Sequence, residues 1–438
     1  MTDSTPTAVP PTAGTAPTPT AATPTSADEL VRLRPTAPVA GGAALARDDG
    51  GRVVFVRGAL PGEVVSARVE RAKRDFAHAV VVEVLEPSPE RIEPPCPYVA
   101  AGCGGCDLQH LAPDAQPAYK LAIVADALRR QGRIADPVVV AGRPLPATGF
   151  RTTVRAAVDE LGGHLGFRAL QSHDVVPADH CLVAHPLADA LLSSGRFQGC
   201  EEVTIRVGAA TGERLLIAYP TAAGVDLPDD VDAVEGPGGG PVRTLVIGAD
   251  ELKAGNRAWF HEVVDGHRFR ISARSFFQSR TDGAEALVDA VRRAGGDELA
   301  TAATVVDAYA GVGLFAAMAA PAGARTIVVE SGSSSVADAR INLADRDTKI
   351  IKAKVERWHP SAADVVVADP SRAGLGRDGV RSVVGTHAPV VVLVSCDAAA
   401  LGRDAALLAR DGYRLERAEL VDLFPQTHHV EVVSRFVR

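Results

Sequence analysis

Long uncharged apolar runs are missing from this chain of 438 residues, and with them any segment able to span a bilayer as a helix. The first residues lack the basic stretch, apolar core and cleavage site of a secretory signal, so a cytoplasmic location is expected. Excess positive charge is missing too. The formal net charge is −8, which argues against binding nucleic acid through bulk charge but leaves room for a local basic groove. Disulfides are not expected: in a reducing compartment the six cysteines are better read as ligands or nucleophiles. The length calls for roughly two to four domains, and a monomer without membrane contact is expected.

Residues 1–28 are mostly Thr, Ala and Pro without apolar periodicity, and read as a disordered tail. Residues 29–87 change to short strands and Gly turns: 52–56, a turn at 58–62, the period-two run 63–71, and 79–85. That spacing predicts a small OB-like β-barrel. Arg68, Arg71, Lys73 and Arg74 gather beside Phe76. Basic residues around an aromatic suit single-stranded RNA, although a plain solvated hairpin has the same composition.

Residues 88–265 read as a central α+β domain. Cys96, Cys103 and Cys106 lie close together, with Gly104 and Gly105 between the last two. Paired glycines let the backbone turn so that both sulfurs face one point, a geometry for a metal ion or an iron–sulfur cubane. Cys181 is the natural fourth thiolate and Cys200 a weaker candidate. Spacing does not separate zinc from a [4Fe–4S] cluster; the Gly-Gly link and the distant fourth Cys favour the cluster. A helix is predicted over 118–131, strands over 152–158, 165–168, 202–207 and 214–218, and a loop over 235–241. Arg151 and Arg155 could reach RNA or simply face solvent.

Residues 266–438 read as an α/β domain. A strand-like run ends at Phe276-Phe277-Gln278, and a helix is predicted over 283–294. Then Asp307-Ala308-Tyr309-Ala310-Gly311-Val312-Gly313 joins a strand to a helix, and the next strand ends at Glu330. Such a turn lets a ligand approach the backbone, and an acid at the second strand end can hold ribose hydroxyls. The third glycine of a dinucleotide fingerprint is missing, which favours S-adenosylmethionine, a ligand without a pyrophosphate. Helix capping is the plainer role for Asp307 and Glu330. A further strand runs into Asp369-Pro370-Ser371-Arg372-Ala373-Gly374, and the buried strand 389–395 stops at Cys396 and Asp397. Glu431 is read inside an otherwise apolar strand, an expensive place for a carboxylate without a task. A thiolate that adds to C6 of a flipped uracil makes C5 nucleophilic. C5 then accepts a methyl group, and a base must remove its proton before the thiolate can leave.

Taken together, these motifs resemble the RNA 5-methyluridine (uracil-C5) methyltransferase family, whose members act on tRNA and 23S rRNA. The likeness covers nearly everything after the tail. The run 56–63, VRGALPGE, is similar to a TRAM domain. Phe277-Gln278-Ser279, 307–315, 369–374, Val394-Ser395-Cys396-Asp397 and 424–431 resemble the family's cofactor, nucleophile and base motifs. The resemblance implies a Rossmann-like methyltransferase domain with Cys396 as nucleophile and Glu431 as base. It implies S-adenosylmethionine held by Gln278, Tyr309, Glu330 and Asp369, a pocket shaped in part by Arg372, and a [4Fe–4S] cluster on Cys96, Cys103, Cys106 and Cys181. The segment after the cysteine cluster is expected to pack back on the catalytic domain. Arg280, Leu314, Asp397 and Ala398 depart from the usual residues, and the Cys96–Cys103 spacing is one residue longer than usual. Other readings are an RNA-binding protein with a relict catalytic domain, a methyltransferase for another RNA base, and a redox sensor built on the cluster.

Overall fold

The computed structural model describes residues 29–159, 162–233 and 236–438, so the tail read at residues 1–28 lies outside it. No helix among the described residues is long and apolar enough to cross a membrane.

Period-two alternation builds the first unit. Its six strands run in the order Leu30–Leu33, Val64–Ala72, Phe76–Glu86, Val53–Arg57, Ala43–Arg47 and Ala37–Pro38. Ala44, Ala46, Val54, Val56, Ala67, Val69, Ala77 and Ala79 share one core. Three register shifts in the long hairpin bend it over that core. The first three strands escape a reading by hydrophobicity because they are short and lie among Gly and Pro. On the other face Phe55, Phe76 and His78 meet, with ring centroids 5.4 to 6.1 Å apart. Lys73 Nζ stands 5.1 Å from the Phe76 ring, and Arg68, Arg71 and Arg74 are exposed nearby.

A second six-stranded sheet has the order Val175–Pro177, Leu165–Arg168, Thr153–Val158, Glu202–Val207, Glu213–Tyr219 and Arg243–Gly248. All pairs are antiparallel except the last. The helix Pro186–Ser194 covers one face through Leu187, Leu191 and Leu192. Cys200 packs in this core with its Sγ 3.4 Å from the Thr221 carbonyl, far in role from the cysteine cluster.

The C-terminal sheet has eight strands in the order Thr348–Lys352, Arg325–Glu330, Thr304–Ala308, Val365–Ala368, Val390–Ser395, Val432–Val437, Arg414–Leu420 and Val139–Ala141. Its central strands are buried on both faces. Val365, Val367, Val390, Val392 and Val394 join one core, while Val366, Ala368, Val391 and Leu393 join the other. The helix Gln116–Arg130 and the strand Val139–Ala141 come from ahead of the second sheet, yet pack on this one. A boundary at residue 265 also falls in the turn between the paired strands Trp259–Val264 and His267–Ser272. The eight-stranded layer is therefore discontinuous in sequence. Leu393→Ala, at a fully buried site, is expected to cost about 2–5 kcal/mol and lower the thermal midpoint; an unchanged midpoint would mean that this core carries little of the stability.

Candidate active site

Thr304–Ala308 pairs with Arg325–Glu330 on one side and Val365–Ala368 on the other, so the chain leaves it in opposite directions and opens a crevice at its carboxyl end. The loop that follows holds Tyr309 at φ 61°, Gly311 at 55° and Gly313 at 92°. Glycine suits the left-handed backbone at Gly313, where a Cβ would also stand 2.9 Å from the tip of the Leu343 side chain and push it aside. Tyr309 takes the same left-handed region at a cost, which is characteristic of a ligand loop. Glu330 accepts the Gly311 N–H at 2.9 Å and the Gly332 N–H at 2.5 Å, fixing the loop against the second strand. Asp307 sits beneath. Its Oδ2 accepts the Ala316 N–H at 2.8 Å and so caps the short helix Leu314–Met318, while Oδ1 has no partner. Burial pushes the Asp307 carboxyl up to about 8, with Asp369 and Glu330 adding to the shift and the Ala316 bond opposing it.

One cleft of about 880 Å³ is lined by Gln278, Tyr309, Glu330, Asp369, Arg372, Cys396 and Glu431, so the residues singled out from the sequence as cofactor, nucleophile and base candidates meet in one place. Cys396 follows the strand Val390–Ser395. Glu431 is not inside a strand, as its apolar neighbours suggest; it is the residue before Val432–Val437, released from the ladder because the chain is still leaving a turn. The pairing of Ser395 with Val432 then sets Cys396 and Glu431 next to each other at the ends of two antiparallel strands. Burial pushes the Cys396 thiol up to about 12, reinforced by Glu431 and Asp369 and opposed by Arg372. Glu431 is raised well above the usual carboxylate range by burial and then by Asp369, and Asp369 is itself raised by burial.

The opposite wall went unread in the sequence. Thr153, Thr204, Arg206, Ile217 and Tyr219 project from the second sheet into the cleft, and Phe276 stands 68 % exposed at its mouth. Arg151, a candidate RNA contact from the sequence, lines the same wall. The signal was available as alternate residues on paired strands, since Arg206 faces Thr153 and Thr204 faces Ile217 in register. The departures have structural reasons. Asp397 caps the helix Ala398–Arg410 by accepting the Ala400 N–H at 2.7 Å. Leu314 fills the core. Arg280 is fully buried, pairing with Asp282 at 2.7 Å and lying 4.3 Å from the Phe150 ring.

Cys96, Cys103, Cys106 and Cys181 are free thiols lining a neighbouring cavity of about 250 Å³. Gly104 is required there, because a Cβ would meet the Leu170 backbone at 2.9 Å. Burial pushes Cys106 up to about 12, with a Gln109 bond opposing and the other three thiols adding. Among the described residues, however, no three His, Cys, Asp or Glu side chains are grouped as for a metal ion. Arg151 and His429 line both cavities and form the wall between them.

The buried acid gives a pH test. Folded Asp307 keeps its proton up to about pH 8, whereas the unfolded chain releases it near pH 4, so its contribution to stability falls as pH rises between them. Urea midpoints measured from about pH 6.5 to 8, above the ordinary histidine range, should fall in the wild type and fall less in Asp307→Asn. Equal slopes would show that Asp307 is already ionised in the folded cleft.

Comparison with known proteins agrees with this geometry. A TRAM domain model matches residues 38–82. Proteins described as uncharacterized RNA methyltransferases are similar along almost the whole chain. One from Streptomyces avermitilis is 36% identical, covering 91% of this chain and 96% of the relative. Another from Streptomyces coelicolor is 37% identical, covering 91% and 90%. The fold is similar to that of the Pyrococcus abyssi tRNA (uracil-54, C5)-methyltransferase in complex with S-adenosyl-L-homocysteine, with a TM-score of 0.68, 23% identity and coverage of 92% and 100%. The cleft, its glycine loop and relatives at this level of identity lead to one conclusion: the chain belongs to the RNA methyltransferase family.

Proposed function

We propose that this protein transfers a methyl group from S-adenosylmethionine to C5 of a uridine in tRNA or 23S rRNA, through a covalent bond between Cys396 and C6 of the base. The observation that carries the reading is the placement of Cys396 and Glu431 side by side at paired strand ends in one cleft. The Pyrococcus abyssi enzyme, whose fold is shared, carries a uracil-C5 activity in its name.

The cleft suits the methyl donor. Bound there, S-adenosylmethionine supplies an electrophilic methyl group on a positive sulfonium. Gln278, Tyr309, Glu330 and Asp369 would hold it, and acids that raise one another at close quarters are suited to a cation. A positive charge near them would offset the Glu431 and Asp369 charges that add to the effect of burial on the Cys396 thiol, and Arg372 acts in the same direction. Cys396 loses its proton to solvent and its sulfur adds to C6, and C5 then takes the methyl group. Glu431 removes the C5 proton, the C5–C6 double bond re-forms, and the thiolate leaves. The raised Glu431 carboxyl is a stronger proton acceptor than an exposed one once ionised. Arg151, Tyr219 and Phe276 line the cleft and would receive the flipped nucleotide's neighbours, and the Lys73–Phe76 surface of the TRAM domain would receive more distant RNA.

The four thiols are soft donors around one cavity, the donor set that a [4Fe–4S] cluster takes, although among the described residues they are not grouped as for a metal ion. Bound there, a cluster would tie the loop of Cys96, Cys103 and Cys106 to Cys181.

Purified Cys396→Ala should lose methyl transfer while still binding RNA, and Glu431→Gln should accumulate a denaturation-resistant protein–RNA adduct on gels. Turnover by Cys396→Ala would refute the mechanism. Mass spectrometry of tRNA and rRNA nucleosides from cells with and without the gene should show the loss of one 5-methyluridine. An unchanged 5-methyluridine content with another methylated base missing would reassign the substrate.

A further inference from the structure

Glu431 is aimed by its backbone. The charge and burial around its carboxyl come from Asp369 and the core, with no hydrogen bond among them. Its place is set on one side by Val432, paired with Ser395 and Leu420, and on the other by the turn leading into it, where the Val421 N–H donates to the Glu431 carbonyl at 2.8 Å.

That turn contains a backbone that does not hold itself. Gln426 is 2 % exposed and sits at φ 68°, a region that costs a non-glycine residue of order 1–3 kcal/mol unless its surroundings enforce it. The enforcement comes from outside the turn. The Gln426 N–H donates to Gln116 Oε1 at 2.6 Å, and Gln116 Nε2 returns a bond to Gln426 Oε1 at 3.0 Å. The Gln426 carbonyl accepts the Leu108 N–H at 3.0 Å. Gln116 is itself fully buried, and its amide also donates to the Leu111 carbonyl at 3.0 Å, so it cannot swing aside. One turn further along the same helix, Lys120 Nζ holds Asp422 at 2.6 Å and the Phe424 carbonyl at 2.8 Å.

We propose that Gln116 is a positioning residue for proton removal: its reciprocal amide pair with Gln426 holds the left-handed turn from which Glu431 faces Cys396. This rests on Glu431 being the base. Gln116 is fully buried and does not line the cleft, so it acts through the loop alone.

The test uses the full-length protein with Gln116→Met, which keeps volume but loses the amide, alongside Gln116→Ala, Glu431→Gln and Gln116→Met/Gln426→Gly. Thermal melting reports folding, calorimetry reports S-adenosylmethionine binding, and single-turnover methyl transfer with gel detection reports the adduct. A displaced base of this kind should lower kcat by roughly 10- to 100-fold. KM for RNA and cofactor affinity should stay within about twofold. The adduct should accumulate as in Glu431→Gln. Glycine at 426 adopts the left-handed turn without strain, so the double variant should recover part of the lost kcat. Wild-type turnover in a folded Gln116→Met or Gln116→Ala protein would overturn the proposal. So would a loss without adduct or rescue, which is the signature of a packing role. An adduct in Glu431→Gln but not in either Gln116 variant overturns the clamp alone; no adduct in Glu431→Gln overturns the base assignment and the clamp with it.

Discussion

Asp369 and Glu431 crowd around one thiol at the end of a sheet whose centre excludes water, Asp307 is buried close to Asp369, and a weakly polarisable surround makes each of their negative charges costly. That cost raises the proton affinity of each carboxyl. The arrangement makes chemical sense for a site that receives a cation, because one positive charge lowers the proton affinity of several groups together. The glycine loop, the buried valine strands and the strained Tyr309 serve the same end: they bring acidic strand ends close to a ligand while keeping solvent out.

How far the molecule was legible from sequence follows from which interactions are local. The strands ending at Asp307, Glu330, Asp369 and Cys396 announced themselves because both faces of each are buried, and a continuous run of Val and Ala suits little besides a strand covered on both sides. Their common end followed from strand polarity. Glu431 stands out in sequence as a carboxylate among apolar residues, but it precedes the strand by one residue, because an apolar run does not show where a turn ends. The wall of Thr204, Arg206 and Tyr219 was harder to see. Those residues gain meaning only once three strands are in register and a second domain faces them. Gln116 was harder still. In sequence it is an ordinary polar residue ahead of a helix, and its importance lies in the backbone of a residue near the other end of the chain.

The four cysteines mark where motif and geometry diverge. Their types and spacing suggest ligands, and the fold brings all four to one cavity without grouping any three of them for an ion. That cavity shares Arg151 and His429 with the catalytic cleft. The loop carrying three of the thiols continues directly into Asp107, whose carboxylate accepts the His428 N–H at 2.9 Å, and then into Leu108. Whatever fixes the thiols also fixes the foot of the turn that precedes Glu431.

The discontinuous catalytic layer reaches beyond the active site. Val139–Ala141 pairs beside Arg414–Leu420, and the helix ahead of it packs against Ala398–Arg410, with the whole second sheet lying between them in the sequence. The second sheet is thus an insertion, threaded into the catalytic unit through two crossings of the chain. Its own core can form early, but the edge of the methyltransferase sheet stays open until the last strands have been made. The substrate-facing wall is consequently made before the chemical machinery, because Cys396 and Glu431 sit at the ends of the last strands, and the two are joined only when those strands have formed.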